Sequence, residues 1–246
     1  MKSNATKTEA LKSRILHQKN QSVNLNDWIF ENLTVPEEGN VLELCCGTGS
    51  QTTYLAKRVK YGSITCVDIN SESLEIAKKN VETSLIRFIE SDIDTTANFL
   101  DRDYDLIFVS YGFYYSKEPQ TLLSSLVERL SSHGRIAIVG PVQGNNAELF
   151  NLVRKLGVDI PSAVTDSSEE FMIRMLRLFL DRFTSIKFFR TTNKITYDSI
   201  DSLLEYWRNT TFYNPGLDEQ FLLEARSYFP KDPVNRKSIG LLEGSS

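Results

Sequence analysis

The chain lacks a long apolar run, a cysteine framework and an excess of positive charge. No segment reaches the ~20 apolar residues that a membrane-spanning helix needs, and the first 20 residues are too polar for a secretory signal. Three cysteines, two of them adjacent, lack the spacing of a disulfide framework or a zinc site. A net charge of -4 provides no basic surface for a nucleic-acid backbone. These absences predict a cytoplasmic protein without a membrane, nucleic-acid or metal partner.

Apolar segments and helical patterns alternate between residues 40 and 140. Segments with the length of strands are NVLELCC, SITCVDI, LIRFIE, YDLIFVS and GRIAIVG, and amphipathic stretches separate them. Two further strands are expected in TSIKFFRTTNKITY and RKSIGLLE. Repeated β-α-β units require right-handed crossovers and a parallel sheet. We therefore predict an α/β fold with a doubly wound, mostly parallel sheet of seven strands.

The same pattern divides one compact domain into three segments. Residues 1–38 are predicted to form an N-terminal helical lid, and residues 39–142 the ligand-binding core. Residues 143–246 would complete the sheet and carry helical insertions over the substrate. An apolar stripe in the last segment includes Met172 and Met175. Core packing is one interpretation of this stripe, and an acceptor site or a subunit contact, as in a homodimer, is the other.

The first predicted strand ends in a turn with two glycines and carries an acid. Gly47 and Gly49 can adopt backbone angles closed to other residues and allow a ligand to approach the main chain. The dinucleotide pattern G-x-G-x-x-G fails because Thr52 occupies the third position. Glu43 would repel a pyrophosphate but would suit a cation. The turn therefore predicts a positively charged ligand without phosphate.

The stretch ELCCGTG, from Glu43 to Gly49, resembles motif I of the class I S-adenosylmethionine-dependent methyltransferases, usually E/D-x-G-x-G-x-G. Cys45 stands in the place of the first glycine. The order of motifs is similar over roughly residues 40 to 140, and the resemblance extends to the branch that methylates ubiquinone and menaquinone. It implies a Rossmann-like methyltransferase fold and S-adenosyl-L-methionine as the cofactor.

The resemblance also implies roles for residues at the following strand ends. Asp68 would bind the ribose hydroxyls, and Asp92 would accept from the adenine amine, with the Ile93 N–H at the ring. Ser110 and Tyr111 would lie beside the methionine portion. The complete set of expected cofactor-binding residues is Glu43, Cys45, Gly47, Gly49, Thr52, Asp68, Ile69, Asp92, Ile93, Ser110 and Tyr111.

Four aromatic residues follow the fourth predicted strand in SYGFYYSK. Aromatic faces can surround a methyl-sulfonium cation and exclude water, and the hydroxyls of Tyr111 and Tyr115 could orient an acceptor. For each ring, packing at a helix start is the alternative. A protonated nucleophile also needs a general base. His17 is a candidate for that role, with a solvated helix face as its alternative.

The expected reaction is methyl transfer to a small-molecule acceptor, at a hydroxyl of a sugar, quinone or natural product. SYGF contains no proline, whereas enzymes that methylate nucleobase amines carry an Asp/Asn-Pro-Pro-aromatic element here. N-methylation of a small amine and non-catalytic binding of S-adenosylmethionine remain alternatives. Aminopropyl transfer is disfavoured because no acidic cluster follows the fourth strand. A nicotinamide-dependent dehydrogenase is disfavoured by Thr52 and Glu43.

Overall fold

The structure, a computed structural model, describes residues 20–246 except for residues 82, 97, 99 and 102. A seven-stranded sheet organises this part of the chain. Its strands are β1 (Glu38–Leu44), β2 (Tyr61–Asp68), β3 (Ile86–Glu90), β4 (Tyr104–Ser110), β5 (Leu130–Pro141), β6 (Ser185–Thr196) and β7 (Val234–Ser245). Their order across the sheet is β3-β2-β1-β4-β5-β7-β6. The predicted seven-stranded α/β fold is confirmed.

Helices connect most of the strands. They are α1 (Leu25–Asn32), α2 (Thr52–Ala56), α3 (Ser71–Asn80), α4 (Ile93–Thr96), α5 (Pro119–Val127), α6 (Ala147–Lys155), α7 (Ser162–Thr165), α8 (Phe171–Leu180), α9 (Ile200–Arg208) and α10 (Asp218–Tyr228). The start of α3 shows how the sequence sets a boundary, because the Asn70 side chain accepts a hydrogen bond from the Ser73 N–H. Within the described residues, every helix is too short or too polar to cross a membrane.

Strand β1 lies in the interior of the sheet, parallel to β2 on one side and to β4 on the other. Val41, Leu42 and Leu44 are fully buried, as expected for a strand covered on both faces. The chain builds β2 and β3 on one side of β1 and then returns to build β4 and β5 on the other. Open α/β sheets bind ligands at the carboxyl ends of the strands at such a reversal.

Strand β7 begins antiparallel to the segment that follows β5. The Val142 N–H donates to the Ser238 carbonyl oxygen (3.0 Å), and the Asn146 N–H donates to that of Arg236 (2.8 Å). The partner residue moves back from 238 to 236 as the donor residue moves forward from 142 to 146, so the two segments run antiparallel. The sheet is therefore mixed, with parallel pairing among β1 to β5.

The chain divides into two compact units. The glycine-turn unit comprises residues 25–140, 171–190 and 240–246. The helical unit comprises residues 141–170 and 191–239, together with residues 20–24 of the described chain. The three-segment division at residues 38 and 142 stays a prediction.

The apolar stripe of α8 packs inside the glycine-turn unit. Met172 and Met175 are each no more than 3% exposed. A Cβ added at Gly140 would lie 2.9 Å from the Phe171 ring, so this helix approaches the end of β5 closely. Core packing therefore accounts for the stripe.

Candidate functional site

The turn after β1 adopts backbone angles that favour glycine. Gly47 and Gly49 have φ of 54° and 83°, in the left-handed region. Gly49 is constrained a second time, because a Cβ there would lie 3.0 Å from the Cβ of Ala77 on α3. The turn is also tied to the end of α3, where the Asn80 side chain donates to the Thr48 carbonyl oxygen (3.1 Å). The chain thus presents a tight, fixed bend at the carboxyl end of β1.

Cys45 is left-handed as well, with φ of 58°. This conformation explains why the motif usually has glycine at this position, since a side chain there is strained. Gly112, after β4, makes room for the thiol: a Cβ at Gly112 would lie 2.4 Å from the Cβ and 2.6 Å from the Sγ of Cys45. Sequence reasoning missed Gly112. The sequence does show a glycine in SYGF, but the reason for it is apparent only once Cys45 is known to be its neighbour in space.

Asp68 connects the glycine turn to the start of α3. Its Oδ2 accepts from the Gly47 N–H (2.8 Å), and its Oδ1 accepts from the Asn70 N–H (2.9 Å). Burial raises the pKa of Asp68, although these bonds oppose the shift. An ionised carboxylate has about four acceptor positions, so Asp68 retains capacity for a ligand. Beside it, the apolar side chain of Ile69 is 57% exposed.

Glu43 and Thr52 bind each other inside the glycine-turn unit. The Thr52 hydroxyl donates to Glu43 Oε2 (2.6 Å), and the Cys66 thiol lies 3.5 Å from the same oxygen. Glu43 is 1% exposed and Thr52 is fully buried. Burial raises the pKa of Glu43 to about 7. The structure thus gives both side chains internal partners, and their predicted contact with a ligand stays a prediction.

Acidic residues lie at the ends of three neighbouring strands. Burial raises the pKa of the Cys45 thiol, and the negative charges of Asp68 and Asp92 add to this shift. The pairing of β2 with β3 brings Asp68 close to Asp92, since the Ser91 N–H donates to the Asp68 carbonyl oxygen (3.0 Å). Asp68 and Asp92 therefore lie on neighbouring strand ends near the glycine turn.

The residues after β3 form the start of α4. Asp92 Oδ1 accepts from the Asp94 N–H (2.9 Å), and the Ile93 side chain is only 8% exposed. Asp92 also lines a cavity of about 460 Å³ together with residues of α4 and α5. This cavity does not include Asp68 or the glycine turn.

The end of β4 contains an unsatisfied hydroxyl and a strained backbone. The Ser110 Oγ is buried and has no hydrogen-bond partner within the described chain. Buried polar atoms in proteins are normally paired, so an added ligand would find a donor or acceptor here. Tyr111 has φ of 54°, and its N–H donates to the Val139 carbonyl oxygen (2.9 Å). Strain of this kind concentrates at functional sites.

The aromatic residues after β4 have different surroundings. Phe113 is fully buried, and its ring centroid lies 6.5 Å from that of Phe171. Tyr114 packs edge-on against Phe171 (5.5 Å between centroids). Tyr115 is 50% exposed. Packing therefore explains Phe113, whereas the catalytic roles of Tyr111 and Tyr115 stay predictions. His17 lies outside the described residues.

Helix α1 is bonded to the segment that follows the glycine turn. The Asn26 side chain donates to the Ser50 hydroxyl (2.9 Å) and accepts from the Gln51 side chain (2.9 Å). The Tyr54 hydroxyl donates to Asp27 (2.9 Å). Sequence reasoning expected a helical lid here but did not identify these residues. They fix α1 directly over the start of α2.

Comparison with known proteins agrees with this geometry. Residues 41–134, which run from β1 into β5, match a family described as a methyltransferase domain. The chain carries a class I S-adenosylmethionine-dependent methyltransferase domain. The family assignment made from motif I is thereby confirmed, with S-adenosyl-L-methionine as the cofactor of this domain.

Known relatives of this methyltransferase domain cover part of the chain. The malonyl-[acyl-carrier protein] O-methyltransferase of Priestia megaterium is 33% identical over 100 residues, which are 41% of this chain and 36% of that protein. The ubiquinone/menaquinone biosynthesis C-methyltransferase of Wigglesworthia glossinidia brevipalpis is 31% identical over 119 residues, 46% of this chain and 47% of that protein. The chain thus spans between about a third and a half of these relatives.

The fold of the domain extends further than its sequence similarity. The YcgJ protein from Bacillus subtilis is similar with a TM-score of 0.61, at 17% identity, over 90% of this chain and 97% of that one. At this identity the likeness concerns the fold alone.

Proposed function

We propose that the protein transfers a methyl group from S-adenosyl-L-methionine to a small-molecule acceptor. The observation that carries this proposal is the Asp68 carboxylate, whose Oδ2 accepts from the Gly47 N–H (2.8 Å) at the glycine turn. A carboxylate at this turn suits a sulfonium, an amine or a ribose diol, and it opposes a pyrophosphate. When bound, the cofactor supplies an electrophilic methyl group for in-line displacement.

The residues of this site fit the proposed cofactor by their chemistry. Asp68 would accept from the ribose hydroxyls with the lone pairs that Gly47 and Asn70 leave free. The exposed Ile69 would cover an apolar ring face. The unpaired Ser110 hydroxyl would gain a polar partner. Asp92 and the Ile93 N–H would complete the adenine contacts.

The buried pair of Glu43 and Thr52 has an indirect role in this proposal. Thr52 is the first residue of α2, and its hydrogen bond to Glu43 locks the end of the glycine turn against β1. We therefore assign Glu43 to positioning, and its direct contact with the cofactor amine stays a prediction.

The acceptor atom is proposed to be a hydroxyl oxygen. Alignment of two reactants supplies about 7–11 kcal/mol of catalysis, and Tyr111 and the exposed Tyr115 are the residues proposed to orient the acceptor. A hydroxyl acceptor requires a base, for which these tyrosines and His17 are candidates. The two relatives are named as methyltransferases that act at oxygen and at carbon, respectively, so they support methyl transfer without fixing the acceptor atom. A cytoplasmic location and a homodimer stay predictions.

A binding measurement followed by an acceptor screen tests this proposal. A ligand that binds only the folded state raises its melting temperature. We expect S-adenosylmethionine and S-adenosylhomocysteine to raise it and NAD to leave it unchanged. Hydroxylated acceptors, small amines and quinone ring carbons are then compared by release of S-adenosylhomocysteine. Stabilisation by NAD alone would refute the cofactor assignment. Turnover with amines or ring carbons alone would refute the hydroxyl assignment.

A further inference from the structure

Asp94 connects the end of β3 to the segment that follows β4. It is the second residue of α4, and its backbone N–H donates to Asp92 Oδ1 (2.9 Å). Its own carboxylate is fully engaged on the other side: Oδ1 accepts from the Ser116 hydroxyl (2.5 Å), and Oδ2 accepts from the Lys117 N–H (3.0 Å). One half-buried carboxylate thus ties together the two segments that the proposed function assigns to the cofactor and to the acceptor.

The Ser116 hydroxyl is the centre of this connection. It donates to Asp94 and accepts from the Glu118 N–H (3.2 Å) just before α5. The Ser116 N–H donates to the Phe113 carbonyl oxygen (3.1 Å), which closes a single 3-10 turn. Tyr115 is the last residue of this turn. Because the turn is short and internally bonded, an anchor at Ser116 also fixes the backbone of Tyr115.

The other end of the same segment is held by different contacts. The Tyr111 N–H donates to a carbonyl oxygen of β5 (2.9 Å), and Gly112 leaves room for the thiol of Cys45. Neither of these contacts involves Tyr115, whose side chain is 50% exposed. The bonds to Asp94 therefore fix the far end of the segment, beside Tyr115.

We propose that Asp94 is a positioning residue for methyl transfer, which holds Tyr115 at a fixed place relative to Asp92. The inference rests on the proposed function, in which Asp92 contacts the adenine and Tyr115 orients the acceptor. Displacement of a reacting group by about 1 Å can lower a rate on the order of a hundredfold. In this role Asp94 contacts neither reactant, so it governs kcat and leaves the affinity for the cofactor unchanged.

Three variants separate alignment from charge. Asp94→Ala removes both acceptor oxygens, whereas Asp94→Asn keeps an oxygen for the Lys117 N–H and an amide N–H for the Ser116 oxygen. We expect kcat of Asp94→Ala to fall on the order of tenfold or more, and Asp94→Asn to retain most of it. Ser116→Ala should lower kcat less, because the bond between Asp94 and Lys117 remains. Combined with Asp94→Ala it should add little, since both substitutions break the same bond.

The variants are compared by three measurements, well below their melting temperatures. Turnover of S-adenosylmethionine is followed with the acceptor that the wild type methylates fastest in the acceptor screen. Calorimetry with S-adenosylhomocysteine should give the wild-type affinity, because every variant keeps the backbone N–H that donates to Asp92. Amide hydrogen exchange should become faster at Ser116 and Lys117 in Asp94→Ala and stay slow in β4. Asp101→Ala removes an exposed carboxylate from the same unit and should match the wild type in all three.

The outcomes distinguish this proposal from the proposed function. Full turnover by Asp94→Ala, with an active wild type, would overturn the positioning role and leave the proposed function intact. A lower melting temperature without a loss of kcat would assign Asp94 to stability alone and would also overturn it. Equal losses of kcat in Asp94→Asn and Asp94→Ala would indicate an effect of charge and would contradict alignment. If the wild type methylates no acceptor, the proposed function itself falls, and the positioning role falls with it.

Discussion

The contact between Cys45 and Gly112 predicts how a side chain at position 112 changes the stability of the protein. Gly112 has φ of -128°, which alanine also adopts, so its backbone does not require glycine. Substitution Gly112→Ala would instead place a methyl group 2.4 Å from the Cβ and 2.6 Å from the Sγ of Cys45. Overpacking of this kind destabilises proteins by about 1–3 kcal/mol. We expect a loss of this size in the free energy of unfolding.

Cys45→Gly should suppress the effect of Gly112→Ala, because it removes both clashing atoms. By itself Cys45→Gly should change stability little. Relief of the left-handed conformation contributes about 1–2 kcal/mol, and the greater flexibility of the unfolded glycine chain costs about 0.4–1 kcal/mol. The double variant should therefore resemble Cys45→Gly alone, with a coupling energy of about 1–3 kcal/mol between the two sites.

Urea unfolding of the wild type, both single variants and the double variant measures this coupling. Gly216→Ala is a suitable control, because its added Cβ would make only an ordinary contact, 3.5 Å from the Asn214 Oδ1. We expect this control to remain within about 0.5 kcal/mol of the wild type. Additive effects of the two substitutions, or a harmless Gly112→Ala, would refute the proposed fit of the thiol.

Three further predictions concern the same unit. Burial raises the pKa of Glu43 in the folded state from 4.5 to about 7. Its contribution to the free energy of unfolding is therefore fully present below pH 4.5 and is lost as the pH rises through about 7, which amounts to about 3 kcal/mol. Glu43→Gln should flatten this pH profile in urea unfolding. Ser110→Ala should leave the melting temperature of the free protein equal or higher while weakening S-adenosylmethionine binding in calorimetry. Tyr115→Phe should lower kcat without changing S-adenosylhomocysteine affinity.

Each of these predictions has a contradicting outcome. An unchanged pH profile in Glu43→Gln would mean that the carboxylate is ionised when buried. A lower melting temperature of Ser110→Ala would reveal an internal partner for its hydroxyl. A Tyr115→Phe variant with full turnover would remove that hydroxyl from the acceptor side.

The sheet could be predicted from the sequence because its strands are short apolar runs separated by helical patterns. YDLIFVS, for example, forms β4, a strand with four successive fully buried residues. The motif around Gly47 and Gly49 located the turn because positive φ there restricts the residue type. Burial of a strand and a positive φ each restrict the residue type at a position, so both can be recognised in the sequence.

The orientation of side chains could not be predicted in the same way. Glu43 was expected to face a ligand, yet its carboxylate bonds to Thr52 nine positions later. Which face of β1 the acid occupies depends on α2, and the sequence of β1 alone does not show this. Gly112 was missed for a related reason, since it acquires its meaning from Cys45, a partner distant in the chain.

The central claim is that the carboxylate of Asp68 helps bind a cationic, phosphate-free nucleoside at the glycine turn. Calorimetry of S-adenosylmethionine with Asp68→Asn tests it most directly, because asparagine removes the charge and keeps the shape, with one of the two oxygens that accept from the Gly47 and Asn70 N–H groups. Asp101→Asn, an exposed partner of Arg87, is the matched control. We predict that Asp68→Asn, measured well below its lowered melting temperature, binds on the order of tenfold more weakly or worse, while the control binds as the wild type does. Equal affinity of the folded Asp68→Asn variant would contradict the account.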